Sequence, residues 1–168
     1  MSTWKLLIAG SILSLTLVND AAAESVYVNG QLALLKPSGF NSGYAAVVTT
    51  GLPIPERKNL FLEAELTVTL TAPEQDSRKL TYTGIGGYGV FQRLINEKLA
   101  IHGKAGMLYQ YGEYDRGTND SESGAGIAFV IGATYHRSRE TSYLFELSSV
   151  QGTLDLNVLS AGIRYRFR

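Results

Sequence analysis

Four places in this chain carry residue types that could do chemistry. His136-Arg137-Ser138, with Glu140 and Glu146 close behind, offers a hydroxyl, an imidazole and a carboxylate. A histidine can take the proton of a serine hydroxyl if a carboxylate orients its ring, which is the basis of nucleophilic catalysis. Asp115, Asn119, Asp120 and Glu122 in DRGTNDSE supply oxygen donors suited to a hard cation. Their spacing is not that of an EF-hand loop, so they read as a polar surface loop. Gly84, Gly86, Gly87 and Gly89 spell G-x-G-G-x-G, the outline of a dinucleotide loop, but no helical pattern follows them, as that motif requires. The fourth group is different in kind. Glu63 and Glu65, His102 and Lys104, and Arg164 and Arg166 are charged pairs spaced two apart, with Glu146 a further isolated acid.

Spacing by two is the clue to what must position them, because alternate residues of an extended strand point to the same face. In NLFLEAELTVTLT, Asn59 to Thr71, one face carries Leu60, Leu62, Ala64, Leu66, Val68 and Leu70, and the other Phe61, Glu63, Glu65, Thr67 and Thr69. A helix would scatter both sets around its circumference. The same alternation marks Val26 to Lys36, Gly43 to Gly51, Lys79 to Phe91, Leu99 to Tyr111, Gly124 to His136, Ser142 to Ser149 and Leu156 to Phe167. These eight runs predict an all-β, eight-stranded antiparallel up-and-down barrel. The longer runs approach the roughly 9–11 residues of a tilted membrane-crossing strand. Polar connectors at Pro37 to Asn41, Pro73 to Arg78, Gly112 to Ser123 and Val150 to Asp155 fit one end of the barrel. Those at Leu52 to Lys58, Gln92 to Glu97 and Arg137 to Thr141 fit the other.

Which face is inside decides the class. A soluble barrel of the lipocalin kind, in the periplasm, would carry many charges on its outer face, yet only 18% of the chain is charged. The polar faces are mostly small or uncharged, as in Tyr27, Asn29, Gln31 and Ala33, or Gly106, Leu108 and Gln110. Such faces suit the narrow, side-chain-filled interior of eight strands. Phe91, Tyr135, Tyr143, Phe145 and Phe167 near one set of strand ends, and Tyr109, Tyr111 and Tyr114 near the other, suit two aromatic rims at membrane interfaces. The apolar faces, with Leu62, Leu66, Ile101, Phe129 and Ile163, would then meet lipid. Glu63, Glu65, His102, Lys104, Glu146, Arg164 and Arg166 would form a lumen charge network that plugs the barrel, because a buried guanidinium requires hydrogen-bonded anions.

The start of the chain agrees with export. Lys5, an apolar run from Leu6 to Val18, and Ala21-Ala22-Ala23 have the order of a secretory signal peptide. Residues 1–23 are therefore expected to be a cleaved leader and 24–168 the barrel domain. The chain has no cysteine, so an exported fold has no disulfide and relies on packing or lipid. A formal net charge of zero gives no electrostatic case for nucleic acid. No cofactor or metal motif is read.

The segments YVNGQLALL, GIGGYGVFQRLINEKLAIHGKAGMLY and AGIRYRF resemble the small eight-stranded outer-membrane barrels of Gram-negative bacteria, the group that includes the membrane domain of OmpA and OmpX. The resemblance spans Tyr27 to Phe167. It implies a monomeric barrel in the cell outer membrane, in contact with outer-membrane lipid and lipopolysaccharide. In that family the last strand ends in an aromatic read by the outer-membrane assembly machinery, which implies an assembly signal in Ile163, Tyr165 and Phe167, although Arg168 follows it. The implied role is structural or adhesin-like, with no enzyme activity and an extracellular ligand that the sequence does not name. Some barrels of this kind are lipid A deacylases, and His136-x-Ser138 is similar to their His-x-Ser spacing. However, it falls at a turn and is followed by Arg139 where those enzymes have Asn.

Overall fold

The computed structural model describes residues 26–75, 78–115 and 120–167. The expected leader, Gly117, Asn119 and Arg168 lie outside the described residues. The strands are β1 (Tyr27–Pro37), β2 (Gly43–Ile54), β3 (Arg57–Thr71), β4 (Glu74–Gln75), β5 (Arg78–Leu94), β6 (Leu99–Asp115), β7 (Asp120–His136), β8 (Thr141–Gly152) and β9 (Leu156–Arg166). Apart from β3 and β4, sequential strands pair antiparallel, β1 also pairs with β9, and the β3–β5 ladder closes the ring. Eight strands make the barrel wall, as the alternation predicted. The two-residue β4 pairs only with the start of β5.

Closure without an edge is what makes a sheet compatible with a bilayer, because backbone groups within the hydrocarbon layer must find partners inside the protein. The apolar faces point outward. Leu32, Leu62, Ile85, Ile101, Met107, Phe129, Ile131 and Ile163 are exposed, and Leu66 stands on the same outer face between its cross-strand neighbours Val48 and Ile85. A lipocalin-like barrel would bury these side chains, so that alternative is overturned. From Ile101 to Tyr111 the outward face of β6 stays free of charge. About ten residue steps, or 34 Å, tilted by about 40°, cover about 26 Å, the height of a barrel's apolar band. Tyr135, Tyr143, Tyr165 and Phe167 rim one end of that band, and Tyr44, Tyr109 and Tyr111 the other.

Several strands run further than the sequence predicts. β6 and β7 continue through most of the expected loop Gly112 to Ser123, with Gly112 paired to Glu122 and Tyr114 to Asp120. The reason is tertiary. Tyr114 is buried against Phe40 and beneath Arg78, and this packing outweighs the loop-like composition of the segment. β5 likewise extends past Phe91 to Leu94, which turns Gln92 into a lumen residue.

The two ends of the interior differ. Toward the loops the filling is apolar, with Leu35, Leu80, Tyr82, Leu108, Tyr114, Val150, Leu154 and Leu156 in one cluster that Phe40 packs against. Toward the chain termini it is polar and charged. Inward glycines make room for large side chains. A Cβ at Gly51 would collide with the Tyr27 ring, and one at Gly132 with the His102 imidazole.

Candidate functional site

The charged half of the lumen is built from alternate residues of six strands. Asn29 and Gln31 come from β1, Glu63 and Glu65 from β3, Gln92 from β5, His102 and Lys104 from β6, Glu146 from β8, and Ser160 and Arg164 from β9. Lys104 is its centre. Its Nζ lies 2.5 Å from Glu63 Oε2 and 2.5 Å from Glu146 Oε1, and all three side chains are almost wholly removed from solvent. His102 Nε2 is 2.8 Å from the same Glu146 oxygen. The other oxygen of Glu146 accepts a hydrogen bond from Gln31 Nε2 at 3.0 Å, and Gln31 in turn accepts one from the Ser160 hydroxyl.

Arg164, 1% exposed, sits nearer the termini. It donates from Nε to Asn29 Oδ1 and from Nη1 to Gln92 Oε1, both at 2.9 Å. Its guanidinium carbon stands 4.0 Å from the centroid of the Tyr27 ring. Glu63 Oε1 is a longer 3.5 Å away and also accepts the Tyr27 hydroxyl. Two carboxylates therefore meet two permanent cations, and amides, hydroxyls and an aromatic face satisfy the remainder. Such pairing is what makes buried charge tolerable, since an isolated ion in this surrounding is prohibitively costly.

Three sequence expectations need correction. The sequence has Arg164 and Arg166 meeting some of Glu63, Glu65 and Glu146; of these only Arg164 with Glu63 is formed, at 3.5 Å, and Lys104 makes the shorter contacts because it projects between Glu63 and Glu146. Glu65 joins no ion pair among the described residues. Its Oε1 accepts from Thr67 Oγ1 and from the Tyr88 hydroxyl, each at 3.2 Å, beside a cavity of ≈ 20 Å³ with room for about one water. Arg166 also stands outside the network, half-buried at the mouth of the barrel, where β9 ends. Tyr27, Asn29, Gln31, Gln92 and Ser160 complete the cluster without being named for it. Parity alone would have found all of them except Gln92, which a premature strand end hid.

The other candidate chemistry is not assembled. Ser138 Oγ accepts from the backbone N–H groups of Glu140 and Thr141, as in a turn, and His136 Nδ1 lies 2.9 Å from Ser142 Oγ, not from Ser138. Glu146 is committed to Lys104, His102 and Gln31. The Thr134–His102–Glu146 chain has the residue types of a catalytic relay, but all three are buried within the network. Asp115 and Asp120 lie on the paired ladder, and Glu122 accepts the Tyr114 hydroxyl. Among the described residues no three acidic or histidine side chains converge as a metal site. Gly84 and Gly86 line the interior beside Tyr82 and Tyr88, while Gly87 and Gly89 face outward.

The terminal triplet faces lipid. Ile163, Tyr165 and Phe167 are exposed, and the last two rings meet edge to face at 5.1 Å between centroids. The Phe167 N–H bonds the Val26 carbonyl at 2.9 Å, so the seam between the first and last strands stays closed to the end of β9.

Comparison with known proteins agrees with this architecture. The chain is similar in structure to Neisserial surface protein A, with a TM-score of 0.70 and 17% identity, covering 84% of this chain and 97% of that one. It is similar to Ail, the attachment invasion locus protein of Yersinia pestis, with a TM-score of 0.59 and 14% identity over 85% and 97% of the two chains. It is also similar to the N-terminal β-barrel domain of Pseudomonas aeruginosa OprF, with a TM-score of 0.62 and 10% identity over 84% and 98%. No curated protein sequence matches it. At these identities the likeness carries the fold alone. The sequence profile of the outer membrane protein beta-barrel domain, however, matches residues 6–167, nearly the whole chain. A closed eight-stranded wall with an apolar exterior, a filled and charge-balanced interior and this match identify the chain as a member of the outer membrane protein beta-barrel domain family.

Proposed function

We propose that this barrel is a closed, non-enzymatic envelope protein that presents a rigid β-hairpin to the extracellular side, with a structural or adhesin-like role. The observation that carries the reading is the β5–β6–β7 wall, which stays paired above the rim formed by Tyr109 and Tyr111. Lys79 pairs with Asp115, Thr81 with Glu113, and Tyr114 with Asp120. The hairpin thus lifts Glu113, Asp115, Asp120 and Glu122 clear of the apolar band while Tyr114 anchors it to the apolar cluster inside. A pre-ordered surface loses little entropy on contact, which favours recognition.

The filled lumen supports the same reading, since among the described residues apolar packing under the loops and the Lys104 cluster below it occupy the interior with side chains. The short turns, the start of β1 and the end of β9 lie at one end, which in such barrels faces the periplasm. The reading includes removal of residues 1–23, recognition of the Ile163, Tyr165 and Phe167 face by the assembly machinery, a monomeric barrel, and contact with lipopolysaccharide at the loop end. Attachment is part of the name of the similar barrel Ail, whose structure is also known in complex with the heparin analogue sucrose octasulfate.

The test is adhesion of non-adherent bacteria that display the protein to a layer of epithelial cells. Changing Glu113, Asp115, Asp120 and Glu122 to Ser or Asn should lower adhesion several-fold while the barrel still folds. Unchanged adhesion, or a steady conductance of the wild type across a planar bilayer, refutes the reading.

A further inference from the structure

At the loop end a connecting segment turns into the barrel. The β8–β9 ladder ends at Val150 and Leu156, and Thr153, Leu154 and Asp155 belong to no ladder among the described residues. Thr153 and Asp155 are exposed, yet Leu154 is 8% exposed and joins the apolar cluster inside. The wall beside it is hollowed to take it. A Cβ added at Gly112 would stand 2.7 Å from Leu154 Cδ1 and 3.1 Å from Leu80 Cδ1, so the two leucines fill the space that a side chain there would need.

A polar contact fixes the same residue. Gln110, wholly buried on the inner face of β6, donates from Nε2 to the Leu154 carbonyl at 2.7 Å and accepts the Leu154 N–H on Oε1 at 3.2 Å. One side-chain amide thus reads both main-chain groups of a single residue, as a neighbouring strand would. Without the loop, this amide would lose a donor and an acceptor in a desolvated place, which is costly. A replacement must offer an N–H and a C=O with the same spacing.

We propose that the Gln110 socket binds a leucine-sized apolar residue of a peptide, and that Leu154 is its built-in, exchangeable occupant. The loop itself displays the chemistry of the ligand, with an isobutyl group over Gly112 and beside Leu80, and the flanking N–H and C=O on Gln110. The loop can leave without opening the wall, because Val150 stays paired with Leu156 and Gly152 with Gly126. An incoming residue competes with Leu154, so its apparent affinity is the intrinsic one reduced by the fraction of molecules with the loop out. The site does not depend on the adhesion reading, and binding to the isolated barrel tests it separately.

The probes are N-acetyl-leucinamide and N-acetyl-alaninamide, titrated against the full chain in phosphatidylcholine nanodiscs while NMR follows the amide resonances of Leu80 and Gly112. The chain has no cysteine, and a Cβ at Gly124 would lie 3.4 Å from the Thr153 Cβ, close to the roughly 3.5–4.5 Å of a disulfide. Gly124→Cys with Thr153→Cys therefore locks the loop in place when oxidised. The oxidised protein should not respond to the leucine probe, whereas the reduced protein should. Deleting Thr153 and Leu154 leaves residues 151, 152 and 155 between the paired Val150 and Leu156, a three-residue connection that hairpins accept. This variant should bind the leucine probe at least tenfold more tightly than the wild type, since its own occupant is gone. It should bind the alanine probe at least tenfold more weakly than the leucine probe, because less apolar surface is buried. Equal responses of the oxidised and reduced proteins overturn the proposal, as does equal affinity for the two probes. Silence of the reduced protein also overturns it, since Leu154 would then be a permanent filling; this comparison keeps the whole loop and stands even if the deletion variant does not fold.

Discussion

Removing the ammonium of Lys104 is the sharpest test of the charged lumen. Each of its 2.5 Å contacts with Glu63 and Glu146 is worth several kcal/mol of gross Coulomb attraction at an effective dielectric of about 20. Desolvation of the ions offsets much of this, so the net effect depends on what a mutation leaves unpaired. In Lys104→Met, Glu63 keeps Tyr27 and the longer contact with Arg164, and Glu146 keeps His102 and Gln31. Two carboxylates then face one permanent cation, and the expected loss of stability is about 3–5 kcal/mol, the usual cost of orphaning a buried ion. Adding Glu146→Gln restores the balance by leaving Glu63 with Arg164. The double variant should therefore be more stable than Lys104→Met alone by about 1 kcal/mol or more, a coupling in the range for residues in direct contact. Urea titration of barrels folded in lipid vesicles, followed by circular dichroism and by gel mobility, measures both quantities. A loss below about 1 kcal/mol for Lys104→Met, or single effects that add within about 0.5 kcal/mol, would refute the reasoning.

Three further outcomes follow from the two faces and the loop end. Leu66→Arg on the lipid face should cost about 2–4 kcal/mol near mid-membrane, whereas Thr67→Ser one residue on, inside the barrel, should cost much less; the same urea titration compares them. Gly51→Ala should cost about 1–3 kcal/mol because its methyl collides with the Tyr27 ring, and Tyr27→Phe should not relieve it, since the ring carbon is the nearest atom; the two variants titrated separately and together decide this. Tyr114→Ala should destabilise by about 3 kcal/mol and make the β6–β7 hairpin sensitive to protease added to intact cells, because it removes the anchor between Phe40 and Arg78. A hairpin equally resistant without Tyr114 would show that strand pairing alone holds it.

The amino-acid sequence by itself determined the strand count, the lipid-facing set and the inward set. Each rests on a period of two that is complete within a single strand. Leu62 and Glu63 point opposite ways whatever their neighbours do. Composition misled where packing overrode it, as in Gly112 to Ser123, whose polar and glycine residues read as a loop while Tyr114 holds the ladder together. The pairings within the lumen were decided only by tertiary structure. Parity sends Glu63, Glu65, Lys104, Glu146, Arg164 and Arg166 inward but does not set their depths. Depth depends on how each strand is staggered against the next around the closed ring, and small staggers accumulate over eight strands. That accumulated offset places Lys104 between Glu63 and Glu146, turns Glu65 toward Tyr88, and leaves Arg166 at the mouth. The early end of the β3–β5 ladder at Leu60 and Phe91 has the same origin, because the end of a ladder belongs to two strands and is written in neither one alone.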